Sequence, residues 1–398
     1  MSGAHKPFSS EDRPLPVVTG FGCVSSLGCG LPATRKALRA GHDGISGVRG
    51  FSVTTFHAKT AGQVADLEDP GIRGWGRWSR AAKLVLPAVR EAMDSRPGFL
   101  PDIVVAGTTS GGMDLGENFF RGLSVGMSSR DARRWVRGYV PQQPVRDVMA
   151  ALGIDAPVRL VSNACASGTN ALCLAAGLVR SGQAARVMAI GFDALSEMVF
   201  AGFDALQAST RDKCRPFDSA RSGLALGEGA ACFLLESDSS AQDADILASV
   251  PGWGFANDNH HLTQPSPDGS GPRRSMQRAL ADAGWETADY INAHGTGTPF
   301  NDSSEAAAIR SVCPDVPVSS TKGMTGHALG AAGAIEAAFC LIAMQDGFIP
   351  PNINLRETDS GLDVVANTAR PAALRRTMSN SFGFGGSNAT VLLERVSS

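Results

Sequence analysis

Cys165 stands in VSNACASGTNALCLAAGLVRSG (161–182), after a β-type run and just before a long run of small and apolar residues. A helix start carries partial positive charge and unpaired N–H groups. A thiol placed there is expected to ionise below its usual ~8.5, and the thiolate is the nucleophile. Ala164, Ala166, Ser167 and Gly168 leave room for a substrate carbon to approach. Taken alone, a cysteine in this setting is more often a small core residue. Two of the seven histidines sit on Gly/Thr turns: His294 in NAHGTGTPFND, and His327, beside Lys322, in STKGMTGHALG. An isolated turn histidine is more often structural than catalytic. A pair on similar turns, with a lysine and a helix-start cysteine, suits chemistry in which a thioester carbonyl becomes enolate-like, because imidazole donates a hydrogen bond or exchanges a proton near neutral pH. Thr296 and Thr298, on the first of these turns, could as well cap local backbone.

The elements that must carry these residues alternate. Residues 16–28 read as a strand and a glycine turn, without the GxGxxG of a dinucleotide site. Residues 76–95 carry apolar side chains at helical spacing. Strands are expected at 102–112, 157–164 and 185–194, with a helix over 166–180 ended by Ser181-Gly182. The class is therefore α/β with buried sheets.

The second half echoes the first. GLALGEGAACFLLE (223–236) resembles SFGFGGSNATVLLE (381–394), and DIVVAGTTSG (102–111) resembles DYINAHGTGT (289–298). The Cys165 junction resembles VPVSSTKGMTGHALGAAGAIEAAF (316–339). These pairs suggest a duplicated unit. We expect a tail over 1–14, one half over 15–240 and a second over 241–398, the boundary falling in ESDSSAQDAD. The turns at 107–112, 165, 294–298, 322–327 and 383–387 then converge where the halves meet.

Composition bounds the class of partner. The formal charge is -2 and no basic run stands out, which argues against nucleic acid or an anionic membrane. Eight cysteines without a CxxC pair read as reduced thiols of a cytosolic protein. The N-terminus has no apolar signal core. The apolar stretch 328–344 is short for a membrane span and carries Glu336. No metal-ligand spacing and no phosphate loop are present.

ACASGTNA, NAHGTGTP, STKGMTGHALGAAGAIEA and NSFGFGGSNA together resemble the elongating, Cys-His-His β-ketoacyl-acyl-carrier-protein synthases of the thiolase fold, in order from about residue 15 to 395. The resemblance implies a duplicated α-β-α-β-α layered fold. It implies that Cys165 takes an acyl chain as a thioester, and that His294 and His327 promote decarboxylation of a malonyl thioester held on acyl carrier protein. It implies that Lys322 organises the site with Glu336. On one continuous helix those two would lie about 21 Å apart, so Lys322 must sit on a loop folded back. The resemblance further assigns Thr296 and Thr298 to the pantetheine arm and Phe384 to a gate. The amides of Cys165 and Phe384 become an oxyanion hole. Asp258 and His261 take supporting places at the entrance, with His260 on the surface, and Ser110 stands at the far wall of an acyl pocket. No cofactor is implied beyond the phosphopantetheine of the carrier, and the assembly is a homodimer or a heterodimer with a homologous subunit.

The chain departs from the pattern at a short 202–229 segment, at Gly323 in KGM, and at the small Ser110. These departures are ones that a specialised polyene or polyketide synthase would show, and primary fatty acid synthesis stays open beside it. The rival readings are a non-catalytic partner subunit, which retention of Cys165 and both histidines disfavours, and a thiolase, whose second cysteine is missing from NSFGFGGSNA. The initiating branch of the superfamily carries an asparagine in place of one histidine.

Overall fold

The computed structural model describes residues 14–65, 67–241 and 243–396. The expected tail over 1–14 therefore lies, apart from its last residue, outside the described residues.

The first half supplies β1 (Pro16–Ser25), α1 (Arg80–Ser95), β2 (Ile103–Gly107), β3 (Val158–Val161), α2 (Ser167–Arg180), β4 (Arg186–Asp193), α3 (Glu197–Ala205) and β5 (Gly229–Ser237). The second supplies β6 (Ala248–Ser249), β7 (Trp253–Asn257), α4 (Ser270–Ala283), β8 (Tyr290–Asn292), α5 (Pro299–Val312), β9 (Val318–Ser319), α6 (Lys322–Thr325), α7 (Ala332–Asp346), β10 (Arg376–Gly383) and β11 (Ser387–Glu394). Helix α1 begins later than its apolar spacing suggests. The Ser79 hydroxyl accepts the N–H of Ala82 at 3.1 Å and caps the helix there.

The strand order reads the same from either end. It runs β9-β8-β10-β11-β6-β1-β5-β4-β2-β3, with β7 attached to β11. In the first half β2 is parallel to β3 and β4, and β5 is antiparallel to β4 and β1. In the second, β8 is parallel to β9 and β10, and β11 is antiparallel to β10 and β7. The halves are stitched by β6, in which Ser249 pairs with both Val17 and Glu394. Helix α1 covers β1 and β5 on one outside, as α4 covers β7 and β11 on the other.

Between the half-sheets lie α2 and α7, which touch each other and strands of both halves. That position explains their composition, since a helix apolar all round is a buried helix. Every residue of α7 from Ala332 to Met344 is buried. The 3-10 turn Leu329–Ala331 runs straight into α7, and together they are long and apolar enough to cross a bilayer by length and composition. The stretch is thus longer than the sequence reading allowed, and it is a core helix because almost all of it is buried inside the protein. Small residues let the two central helices approach. A Cβ on Gly168 would stand 2.7 Å from the Gly330 carbonyl oxygen. The layered α-β-α-β-α arrangement expected from the duplication is the arrangement observed.

Candidate active site

Cys165 sits in the link between β3 and α2. Ala164 takes a left-handed φ of 47°, and the turn is locked by Ser167, whose hydroxyl donates to the Ala164 carbonyl at 2.6 Å and accepts the Asn163 amide at 2.8 Å. The helix proper starts at Ser167, so the thiol stands just ahead of it. The residue is 5% exposed. Burial pushes its thiol up to about 12, against the pull of the Lys322 charge and of the Phe384 and Cys165 amides. Burial thus works against the easy ionisation expected at a helix start. The loss of hydration outweighs the helix end, since burial disfavours the charged form.

His294 leaves β8 on a tight turn pinned from beneath by Glu305. The Glu305 carboxylate accepts the amides of His294 at 2.8 Å and Gly295 at 2.7 Å, and a bond from the Asn380 side chain at 3.3 Å. Burial pushes Glu305 up to about 7. His327 is fixed through its own backbone, donating to Ala225 O at 2.7 Å and accepting from the Gly227 amide at 2.9 Å. The two rings meet edge to face with centroids 5.1 Å apart, and Phe382 packs on His294. Burial, and then the Lys322 charge, hold both imidazoles well below their ordinary range. They are neutral near pH 7, the form that keeps one N–H donor and one acceptor.

Lys322 opens α6 and reaches back to Glu336 on α7, forming a buried ion pair. Burial pushes Glu336 up to about 7, against the attraction of Lys322. The chain folds back between the two residues, which brings them into contact despite a separation of 14.

Cys165, His294, His327, Thr296, Thr298 and Phe384 line one cavity of about 320 Å³. Lys322 and Glu336 lie off its wall, and Lys322 acts on the site through its charge. The Thr296 and Thr298 hydroxyls are bonded to each other at 2.8 Å. Asp302 supports their turn, accepting from Gly297 N at 3.2 Å and Phe217 N at 2.8 Å. Gly383 lies so close to Cys165 that a Cβ there would stand 3.1 Å from the Cys165 nitrogen. Asp258 also lines the cavity. It accepts from the Asn388 side chain at 2.7 Å and donates its amide to Gly386 O at 2.9 Å, which holds the glycine loop.

Two expected residues are elsewhere. Ser110 is absent from this cavity wall; its hydroxyl and amide both bond Asp193, at 2.7 and 2.9 Å. His261 is exposed, with Nδ1 accepting the Thr263 amide at 3.1 Å, and it is absent from the cavity wall.

Sequence reading missed Asp193, Glu305 and Phe203. Asp193 binds Thr108, Thr109 and Ser110 and also the Gly330 amide, so it ties the end of β2 to the turn before α7. The available signal was a lone carboxylate closing an apolar strand, in AIGFDA, and another inside a small-residue helix, in SSEAAAI. A buried carboxylate is tolerated where several donors converge on it. Phe203, which lines the cavity, carried no such mark.

A family description, "Beta-ketoacyl synthase, N-terminal domain", matches residues 16–241, and its counterpart, "Beta-ketoacyl synthase, C-terminal domain", matches residues 247–356. The chain belongs to the beta-ketoacyl synthase family. This beta-ketoacyl synthase is 35% identical to a 3-oxoacyl-[acyl-carrier-protein] synthase 2 of Coxiella burnetii, over 96% of this chain and 98% of that protein. It is also 35% identical to Nodulation protein E of Rhizobium meliloti, over 96% and 99%. Among solved structures, the ishigamide ketosynthase/chain length factor superposes with a TM-score of 0.90 at 35% identity, covering 97% of this chain and all of that one. A ketosynthase with its chain length factor from Xenorhabdus doucetiae superposes at 0.83 with 27% identity, covering 98% and 100%. The beta-ketoacyl synthase thus has the thiolase-like fold of the ketosynthases, and it belongs to a family of acyl-transferring, carbon–carbon bond-forming enzymes.

Proposed function

We propose that this chain condenses an acyl primer held on Cys165 with malonyl-acyl carrier protein, releasing CO2 and giving a β-ketoacyl-acyl carrier protein. The observation that carries the reading is the meeting of Cys165, His294 and His327 on one cavity, with both rings neutral.

Cys165 attacks the primer thioester, a neighbouring imidazole relays the thiol proton to the departing sulfur, and the carrier leaves as its thiol. The new acyl-Cys carbonyl lies by the amides of Cys165 and Phe384. Malonyl thioester then enters along Thr296 and Thr298. As its C–C bond to CO2 breaks, negative charge gathers on the thioester oxygen, and the N–H groups of His294 and His327 stabilise it. One such donor is worth ~3–4 kcal/mol in a transition state. The enolate carbon attacks the acyl-Cys carbonyl, a C–C bond forms, and the Cys165 sulfur leaves. The Lys322 charge, held in place by Glu336, opposes protonation of both imidazoles and aids departure of the sulfur as an anion.

The phosphopantetheine of the carrier supplies the only prosthetic group this reading needs. The assembly is a homodimer or a heterodimer with a homologous subunit, and the relatives solved with a chain length factor support the heterodimer. Eight unpaired cysteines fit the reducing cytoplasm. A specialised rather than primary substrate rests on the short 202–229 segment and Gly323. The small Ser110, whose hydroxyl bonds Asp193, is the third feature this reading uses.

The test is incubation with acyl and malonyl carrier proteins followed by mass spectrometry. An acyl adduct on Cys165 and a product two carbons longer are expected. Absence of the adduct would favour the non-catalytic partner subunit. A primer chain-length series separates the pathways: strict preference for short saturated primers counts against the specialised reading.

A further inference from the structure

The peptide that joins Ala164 to Cys165 is used at both ends. Its N–H is one of two amides that reach the Cys165 sulfur, the other being that of Phe384. Its C=O accepts two hydroxyls, from Ser167 at 2.6 Å and from Thr109 at 3.0 Å. A trans peptide is planar, so its C=O and N–H point opposite ways on one rigid unit. Holding the oxygen therefore aims the hydrogen. This peptide needs holding, because Ala164 takes a left-handed φ of 47°, which a residue with a Cβ keeps only where its surroundings impose it. Ser167 acts within the local turn, three residues on. Thr109 reaches in from just beyond β2, 55 residues away in sequence. Its backbone is fixed from behind, where Asp193 Oδ2 accepts the Thr109 amide at 2.8 Å and the Gly330 amide at 2.6 Å. Gly330 stands on the turn that follows His327, packed so tightly that a Cβ there would lie 2.5 Å from the Thr109 nitrogen. The Thr109 side chain is nevertheless exposed. Water could satisfy its hydroxyl, so burial does not force the bond to Ala164.

We propose that Thr109 is a positioning residue for acyl transfer: its hydroxyl, by gripping the Ala164 oxygen, aims the Cys165 N–H at the oxyanion of the primer thioester. The inference rests on the reading of Cys165 as the nucleophile. As the sulfur attacks, an S–C bond forms and the carbonyl π pair moves onto the oxygen. That charge is relieved when the C–S bond to the carrier breaks, and the carrier sulfur leaves with the proton that Cys165 gave up. A donor counts most when it is fixed beforehand where the charge develops. The hydroxyl bonds also polarise the peptide and make its N–H a stronger donor, since linked hydrogen bonds reinforce one another. Alkylation by iodoacetamide is a displacement at a saturated carbon and develops no oxyanion. It reads the sulfur without reading the aim of the amide.

The experiment compares two single-turnover rates at Cys165 in the full-length protein, both followed by peptide mass spectrometry. One is acylation from saturating butyryl-, hexanoyl- or octanoyl-acyl carrier protein, and the other is alkylation by iodoacetamide. Thr109→Val and Thr109→Ala remove the hydroxyl at an exposed position, and melting curves check that each variant is folded. The ratio of acylation to alkylation is expected to fall roughly threefold to tenfold in both, the rate equivalent of one neutral hydrogen bond. The fall should lie in the saturated acylation rate, with the carrier concentration for half-saturation unchanged. Thr109→Ser keeps the hydroxyl and is expected to keep the wild-type ratio. An unchanged ratio in Thr109→Val and Thr109→Ala overturns the proposal, whether the two rates stay constant or drop together. So does a Thr109→Ser variant that behaves like Thr109→Val. In each of those cases the wild type still acylates, and the nucleophile assignment stands. A wild-type protein that takes no acyl group on Cys165 from any of the three carriers overturns that assignment and the role of Thr109 with it.

Discussion

Lys322 and Glu336, 14 residues apart in sequence, form an ion pair with both side chains almost wholly buried. Neither lines the substrate cavity, yet the lysine charge acts on Cys165, His294 and His327 together. Removing one partner leaves the other charge buried and alone, at a cost of about 3–5 kcal/mol. Lys322→Met should lower the urea midpoint accordingly and depress condensation. Lys322→Met/Glu336→Leu should recover most of the stability without recovering the activity. Full stability in the single variant would falsify the buried pairing.

The thiol of Cys165 is pushed up to about 12 by burial. Because the thiolate is the reactive form, the alkylation rate of the free enzyme should climb about tenfold per pH unit from pH 6.5 to 9, with no plateau. Lys322→Ala removes an attraction for the anion and should slow the reaction further. A plateau below pH 8 would show a thiol ionised by its helix, as the sequence alone suggests.

Both imidazoles stay neutral because burial and Lys322 oppose their protonation. Decarboxylation of malonyl carrier protein by a Cys165→Ala variant should therefore be level between pH 6 and 8. His294→Ala or His327→Ala should lower it by roughly 100- to 1000-fold, the loss seen when an oxyanion donor is removed. Wild-type decarboxylation in either variant removes the assigned role.

Glu305, which pins the His294 turn, is pushed by burial up to about 7 from its ordinary 4.5. The folded state thus holds its proton more tightly than the unfolded chain. The associated stability is present below about pH 4.5 and is lost as pH rises through about 7, on the order of ~3 kcal/mol in all. Glu305→Gln cannot titrate. Its unfolding free energy should gain on the wild type between pH 4.5 and 7.5, whatever its offset from lost hydrogen bonds. A constant difference across urea titrations at several pH values would rule the shift out.

The reactive residue types, their local turns and the internal doubling are written in the chain itself. Strand–turn–helix junctions at Cys165 and at Lys322–His327 follow from runs of small and apolar residues. These are local properties, carried by neighbours in sequence. The palindromic strand order then follows from two copies of one α/β pattern. The cavity and the edge-to-face histidine pair were decided only when the halves closed on each other. So were the destinations of Ser110 and His261. That the Ser110 hydroxyl bonds Asp193, arriving from β4, was visible only in the folded chain. The thiol shows the difference most directly. A helix end is legible in sequence and promises a thiolate. Desolvation depends on the tertiary packing around the sulfur, including the His294 turn and the glycine loop, and it pushes the other way.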